Sequence, residues 1–227
     1  MNLSPKPGAM VDVPLVKRVL YALPSDFNSR FIRLLLGELG LPFALKNPGG
    51  DGLQDIPAFQ DENGALITYA TCIAEYLDEA YGAPFIGQDP VGRAQVRQVW
   101  RYIEGPVADR VTSPLIYERV HRRMSGLGTP DSGVIQRANV AKGYYFKELE
   151  RLSDLETWIA GPFLTLADLS LAAQLSLLDY LDLIDWGTYP ILADYYRRLK
   201  SRPSMRPVLL DRLEGINPSN HYSNLDF

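Results

Sequence analysis

IPAFQDENGALITYA, residues 56–70, decides the fold. Ile56 to Gln60 and Leu66 to Thr68 read as two short strands. Between them Asp61-Glu62-Asn63-Gly64 is a hairpin turn, because Asn63-Gly64 tolerates positive φ. Tyr69 and Ala70 hand the chain to a helix over 70–81, with Ile73, Tyr76 and Leu77 on one face. Working backwards, the loop from Asn47 to Asp55 holds one Pro and three Gly, and Phe43 to Leu45 is a further strand. Before it lies a helix with Phe31, Ile32, Leu35 and Leu39 on its apolar face. Asn28 or Ser29 is its cap candidate and Gly40 its C-terminal stop. Leu15 to Leu23 reads as the first strand, ended by Pro24. The order is βαβ-ββα, an α/β domain over 15–82.

Working forwards, a Pro/Gly linker at 83–90 leads into an all-helical domain at 91–206. Its first helix carries Val96, Val99, Trp100, Ile103, Val107 and Val111, and Pro106 and Pro114 are expected to kink or interrupt it. A loop follows at 126–133, then a helix with Ile135, Ala138, Tyr145, Leu149 and Leu152 on one face. Thr165-Leu166-Ala167-Asp168 matches a capping box in outline. The helix behind it is apolar on nearly all sides and reads as the buried centre of the domain. Pro190 opens a further helix, and residues 207–227 read as an extended C-terminal tail.

Composition narrows the function. The chain has 227 residues, a net charge of −4, 46% hydrophobic and 22% charged residues, which is ordinary for a globular protein. A generally basic nucleic-acid surface is excluded, so no nucleic-acid partner is expected. No run reaches the roughly 18 apolar residues that span a membrane, so no membrane insertion is expected. Residues 1–14 are rich in Pro and Gly, read as a flexible lead-in, and lack a signal-peptide core; the expected location is cytoplasmic. Cys72 is the single cysteine, which excludes an internal disulfide and a multi-cysteine zinc site, and it reads as a small buried hydrophobe. His121 and His221 stand too far apart in sequence for a helical metal pair, so no metal is expected.

A βαβ-ββα domain, a Pro/Gly linker and an all-helical domain together resemble the cytosolic glutathione transferases, over about residues 15–210. Leu20-Tyr21-Ala22-Leu23-Pro24-Ser25-Asp26-Phe27-Asn28-Ser29 is similar to that family's first strand and active-site turn. Ile56-Pro57 sits where the family has a cis-proline, and the segment from Trp158 to Asp168 is similar to its helix-capping signature. The resemblance implies a glutathione-transferase fold: a thioredoxin-like N-terminal domain followed by an all-helical domain, with Pro57, Thr165 and Asp168 structural. It also implies an acid and a serine after the fourth strand, holding the γ-glutamyl group of glutathione at a helix N-terminus. Tyr69 and Ala70 stand there instead. A phenol and a methyl replace neither a carboxylate nor a hydroxyl. At the active-site turn the thiolate-stabilising hydroxyl aligns with Ser25 or Asp26, and Asp26 repels a thiolate. The short 47–55 loop leaves little of the family's second helix. The glutathione site therefore reads as degenerate.

The tail ends His221-Tyr222-Ser223-Asn224-Leu225-Asp226-Phe227, alternately polar and apolar, a pattern suited to docking on the protein's own body or on a partner. With the altered site, this resembles a group of alphaproteobacterial glutathione-transferase-like division proteins that bind filaments of the tubulin-like GTPase FtsZ. That resemblance implies a non-catalytic homodimer at the division site, without a cofactor. Its partner surface would join Ser25, Asp26, Phe27 and Tyr69 to His221, Tyr222, Leu225, Asp226 and Phe227. Removing residues 217–227 is expected to leave the fold intact. The alternative is a glutathione-dependent transferase or isomerase using Ser25 or the Tyr21 hydroxyl. Each signal also has a plainer reading: Ser25 and Asp26 as turn residues, Tyr69 as packing, and Arg119, His121, Arg122 and Arg123 as a solvated helix end.

Overall fold

The structure is a computed structural model that describes residues 17–49, 55–82 and 84–225. The flexible lead-in expected at 1–14 lies outside the described residues, as do Asp226 and Phe227.

The N-terminal half runs β1 (Val19–Tyr21), α1 (Phe27–Glu38), β2 (Ala44–Lys46), β3 (Ala58–Gln60), β4 (Leu66–Thr68) and α2 (Ala70–Tyr81). The sheet order is β2-β1-β3-β4. β1 pairs parallel with β2 and antiparallel with β3, which pairs antiparallel with β4. This is the βαβ-ββα arrangement, and the Ile56-Pro57 bond is cis. In the β3–β4 turn only Gly64 takes positive φ, at 85°, while the Asn63 side chain accepts from the Ala65 N–H. Asp61 holds the hairpin base to α2 by accepting from the Tyr76 and Tyr81 hydroxyls at 2.6 and 2.8 Å.

Two local expectations are corrected in this half. The cap of α1 is Asp26, two residues before the nearer candidate: its carboxylate accepts from the Ser29 N–H and Oγ at 2.7 and 2.6 Å. The end of α1 follows the expectation. Gly40, at φ 64°, donates to Gly37 O, and Leu41 to Leu36 O, the double closure that positive φ permits. Cys72 is exposed. The buried face of α2 runs through Ala70, Ile73, Ala74 and Leu77, and Cys72 falls off that stripe.

A short 3-10 turn at Pro84–Ile86 leads to α3 (Pro90–Tyr102). The two prolines do not interrupt the helix that follows. It passes through a π-helical stretch (Ile103–Thr112), α4 (Ser113–Ile116), a second π stretch (Tyr117–His121) and α5 (Arg122–Met124). Pro106 sits inside the first wide stretch, where the Ser113 N–H reaches back five residues to Ala108 O. The wider hydrogen-bond register accommodates the missing proline donor. The loop then ends sooner than expected: Asp131 caps α6 (Ser132–Leu155), which places Gly133 inside the helix.

α7 (Leu166–Tyr180) is buried along its whole length and is the axis around which the helices pack. Its N-terminus carries the expected capping box: Thr165 N–H and Oγ both donate to Asp168 Oδ2, at 2.8 and 2.6 Å. Asp168 also accepts from the Ile159 N–H and the Tyr195 hydroxyl. α8 (Pro190–Lys200) and α9 (Arg206–Leu209) complete the helices. α1 packs against α7 and against the turn at Pro203–Met205. A Cβ on Gly37 would stand 3.0 Å from Ser204 Cβ, so a side chain here would press the turn away by a few tenths of an ångström. Arg202 locks it with a bidentate pair to Glu38 at 2.7 and 2.6 Å.

The C-terminal segment is not extended, as the sequence reading had it. After α9 it forms a bridge between Leu213 and Ile216, then turns back across the body until Tyr222 is fully buried.

Candidate functional site

Sheet register sets the site's position. Tyr21 is opposite Ala58, and Ala58 opposite Thr68, so three features share one end of the sheet. They are the turn after β1, cis-Pro57 and the start of α2.

In that turn Ser25 is only 6% exposed. Asp26 is tied up as the α1 cap, and burial pushes its carboxyl upward against the hydrogen bonds from Ser29. Phe27 opens α1 and packs on the core. The ring of Tyr21 lies 5.6 Å from the Lys46 ammonium. Ser25 is thus recessed, and Asp26 is committed to local structure.

The start of α2 differs. Tyr69 takes φ 64°, a conformation that costs a non-glycine residue about 1–3 kcal/mol. Its side chain makes no cap bond, and the first turn of α2 holds no acidic residue. The ring is 60% exposed, and among the described residues its hydroxyl reaches only Asp55, at a long 3.4 Å. Ala70 is buried. Among the described residues the N-terminus of α2 offers an aromatic surface in place of a carboxylate–hydroxyl pair.

The tail residues are brought to the back of this turn by a side chain the sequence reading did not single out. Arg30, fully buried, donates from Nε to Pro24 O at 2.9 Å and from Nη1 to the Ser176 and Tyr222 hydroxyls at 2.9 and 3.0 Å. One guanidinium therefore bridges the turn after β1, α7 and the tail. Arg33, one turn along, grips Asp211 with two bonds of 2.6 and 2.9 Å and donates to Pro207 O. Tyr222 stacks edge-on against Tyr180. Burial raises its phenol above the ordinary value, against the effect of Arg30.

His221 anchors the tail from the other side. Its Nε2 lies 2.8 Å from Asp179 Oδ1, and Asp179 also pairs with the buried Lys200 at 3.3 Å. Burial lowers the Lys200 ammonium, and Asp179 opposes that shift. Lys200 donates in turn to His221 O.

Of the predicted partner residues, Tyr69 and Leu225 are on the surface, while His221 and Tyr222 fasten the tail to the body. Arg30, Arg33, Asp179, Lys200 and Asp211 form the fastening. The available signal was two arginines set into the apolar helix Phe31, Ile32, Leu34, Leu35, since buried charge requires partners. Among the described residues no group of three or more His, Cys, Asp or Glu is placed to hold a metal ion. Nor is any of their helices long and apolar enough to cross a membrane.

No protein-family model matches the chain. FtsZ-localized protein A of Caulobacter vibrioides is 31% identical over 93% of this chain and 99% of its own length. The crystallised FzlA from C. crescentus superposes with a TM-score of 0.88, at 31% identity over 93% of this chain and all of that one. A structure described as a glutathione S-transferase from Sinorhizobium meliloti superposes with a TM-score of 0.87 at 34% identity, over 92% of this chain and 99% of that one. Likeness to both, over nearly their full lengths and with the cis-proline, sheet and capping box in place, settles the family: the chain belongs to the glutathione S-transferase superfamily, in the group that includes FtsZ-localized protein A.

Proposed function

We propose that the protein is a non-catalytic glutathione-transferase-like adaptor that binds FtsZ filaments at the division site and regulates constriction. The observation that carries this reading is the full-length likeness to FtsZ-localized protein A. The strained, exposed Tyr69 and the buried Ala70 support it, because glutathione binding in this fold family draws on an acid and a serine there. The filament-facing surface would comprise the Tyr69 face and the tail residues Leu225, Asp226 and Phe227. A homodimer would present two such surfaces about a two-fold axis, and on a polymer two weak sites gain avidity. The location would be cytoplasmic, at midcell, and no cofactor would be needed.

The 34% identity to a structure described as a glutathione S-transferase favours a second reading, a glutathione-dependent transferase or isomerase. Pelleting with GTP-assembled FtsZ, with glutathione-resin binding on the same preparation, separates the two. Co-pelleting without resin binding supports the adaptor. Resin binding without co-pelleting supports the enzyme.

A further inference from the structure

The helix end at Tyr117–Met124 and the folded tail meet in a cleft of about 390 Å³. One wall carries Arg119 and Arg123; the other is the tail from Ile216 to Asn220; the floor is Tyr180 to Asp182. The tail wall is fixed in place: Ser219 N–H donates to Tyr180 O at 2.9 Å, and the Tyr180 hydroxyl donates to Ile216 O at 2.7 Å. The Arg123 guanidinium reaches to the tail backbone, with Nη2 3.9 Å from where a Cβ on Gly215 would stand.

Both arginines are exposed, and among the described residues neither side chain makes an ion pair or a hydrogen bond. Their neighbour Arg122 is engaged, donating to Thr129 O and pairing with Glu118. In a chain of net charge −4, two unpaired guanidinium groups one helical turn apart in a formed cleft are a local exception. We infer that this cleft binds an acidic peptide segment of the filament partner, its carboxylates on Arg119 and Arg123 and its backbone along the amides of Asn217 and Asn220. The inference rests on the adaptor reading and specifies the chemistry of its partner. A nucleic acid fits less well, because two cations make no phosphate track.

The test uses the full chain, a fluorescein-labelled polyglutamate peptide and GTP-assembled FtsZ. Arg119→Glu/Arg123→Glu is compared with a control of equal charge change on α6, Arg137→Glu/Lys147→Glu. Wild type is expected to bind the peptide with an affinity that falls as ionic strength rises. The cleft variant is expected to bind it at least about tenfold more weakly, to pellet with FtsZ correspondingly less, and to melt as wild type does, while the control binds normally. Equal peptide binding by cleft variant and wild type overturns the inference, as does single-stranded oligothymidine binding as tightly as polyglutamate. If wild type fails to pellet with FtsZ but binds the peptide through these arginines, the adaptor reading fails and the acidic-peptide cleft stands.

Discussion

The start of α2 and the C-terminal tail were expected to do the same work, and the structure builds them in opposite ways. At α2 the chain holds Tyr69 at φ 64°, exposes its ring and gives it one long hydrogen bond. At the tail it buries Tyr222 completely and surrounds it with Arg30, Val208 O and the Tyr180 ring. The first region is strained and accessible; the second is hydrogen-bonded and enclosed. Residues conspicuous in sequence therefore divide by physical role. An aromatic at a strained, uncapped helix start remains available to a partner, whereas an aromatic in a polar tail here closes the protein's own core.

The largest expected effect tests the enclosed side. Tyr222→Ala removes a fully buried ring and leaves Arg30 short of an acceptor, so urea unfolding should show a loss of about 3–5 kcal/mol. Removing residues 217–227 should cost at least as much, contrary to the expectation from sequence. Leu225→Ala should leave the melt within about 0.5 kcal/mol of wild type, because Leu225 is exposed. Arg33→Ala breaks the bidentate hold on Asp211 and should cost about 1.5–3 kcal/mol. On the open side the sign reverses: Tyr69→Gly relieves the left-handed backbone and should raise stability by about 1 kcal/mol.

The smallest effect is a pH dependence. Burial pushes Glu38 upward, but the hydrogen bonds from Arg202 and Ser204 outweigh it and hold the carboxyl below its ordinary value. A depressed carboxyl contributes stability that is complete above the unfolded value of 4.5 and lost as pH falls through the folded one. Glu38→Gln should therefore lower stability at neutral pH by up to about 1 kcal/mol and flatten the acid-side decline. Chemical denaturation at a series of pH values checks both.

Legibility in sequence followed the range of the interactions. β4 and α2 match their predicted bounds, because alternation, a turn glycine and a helical stripe are written within a few residues. The capping box was readable for the same reason. The α1 cap was misplaced because Ser25, Asp26, Asn28 and Ser29 all suit a helix start, and only the entry of Phe27 into the helix selects Asp26. Cys72 shows that residue type without helical phase misleads. The tail was the least legible part. Arg30 meets Tyr222 across 192 positions and Arg33 meets Asp211 across 178, and no local pattern encodes either pairing. At the candidate site the sequence revealed the substitution at Tyr69-Ala70, while the recessed Ser25 and the role of Arg30 emerged only from packing.

Central to this account is the proposal that the face around Tyr69 engages FtsZ. Quantitative co-pelleting of wild type and Tyr69→Ala with GTP-assembled FtsZ tests it most directly. The account predicts that wild type pellets and that Tyr69→Ala pellets at least about tenfold more weakly while melting no lower, since an exposed ring that fills no core is lost. Equal pelleting of the two, or glutathione binding by wild type that displaces it from filaments without any dependence on Tyr69, would contradict it.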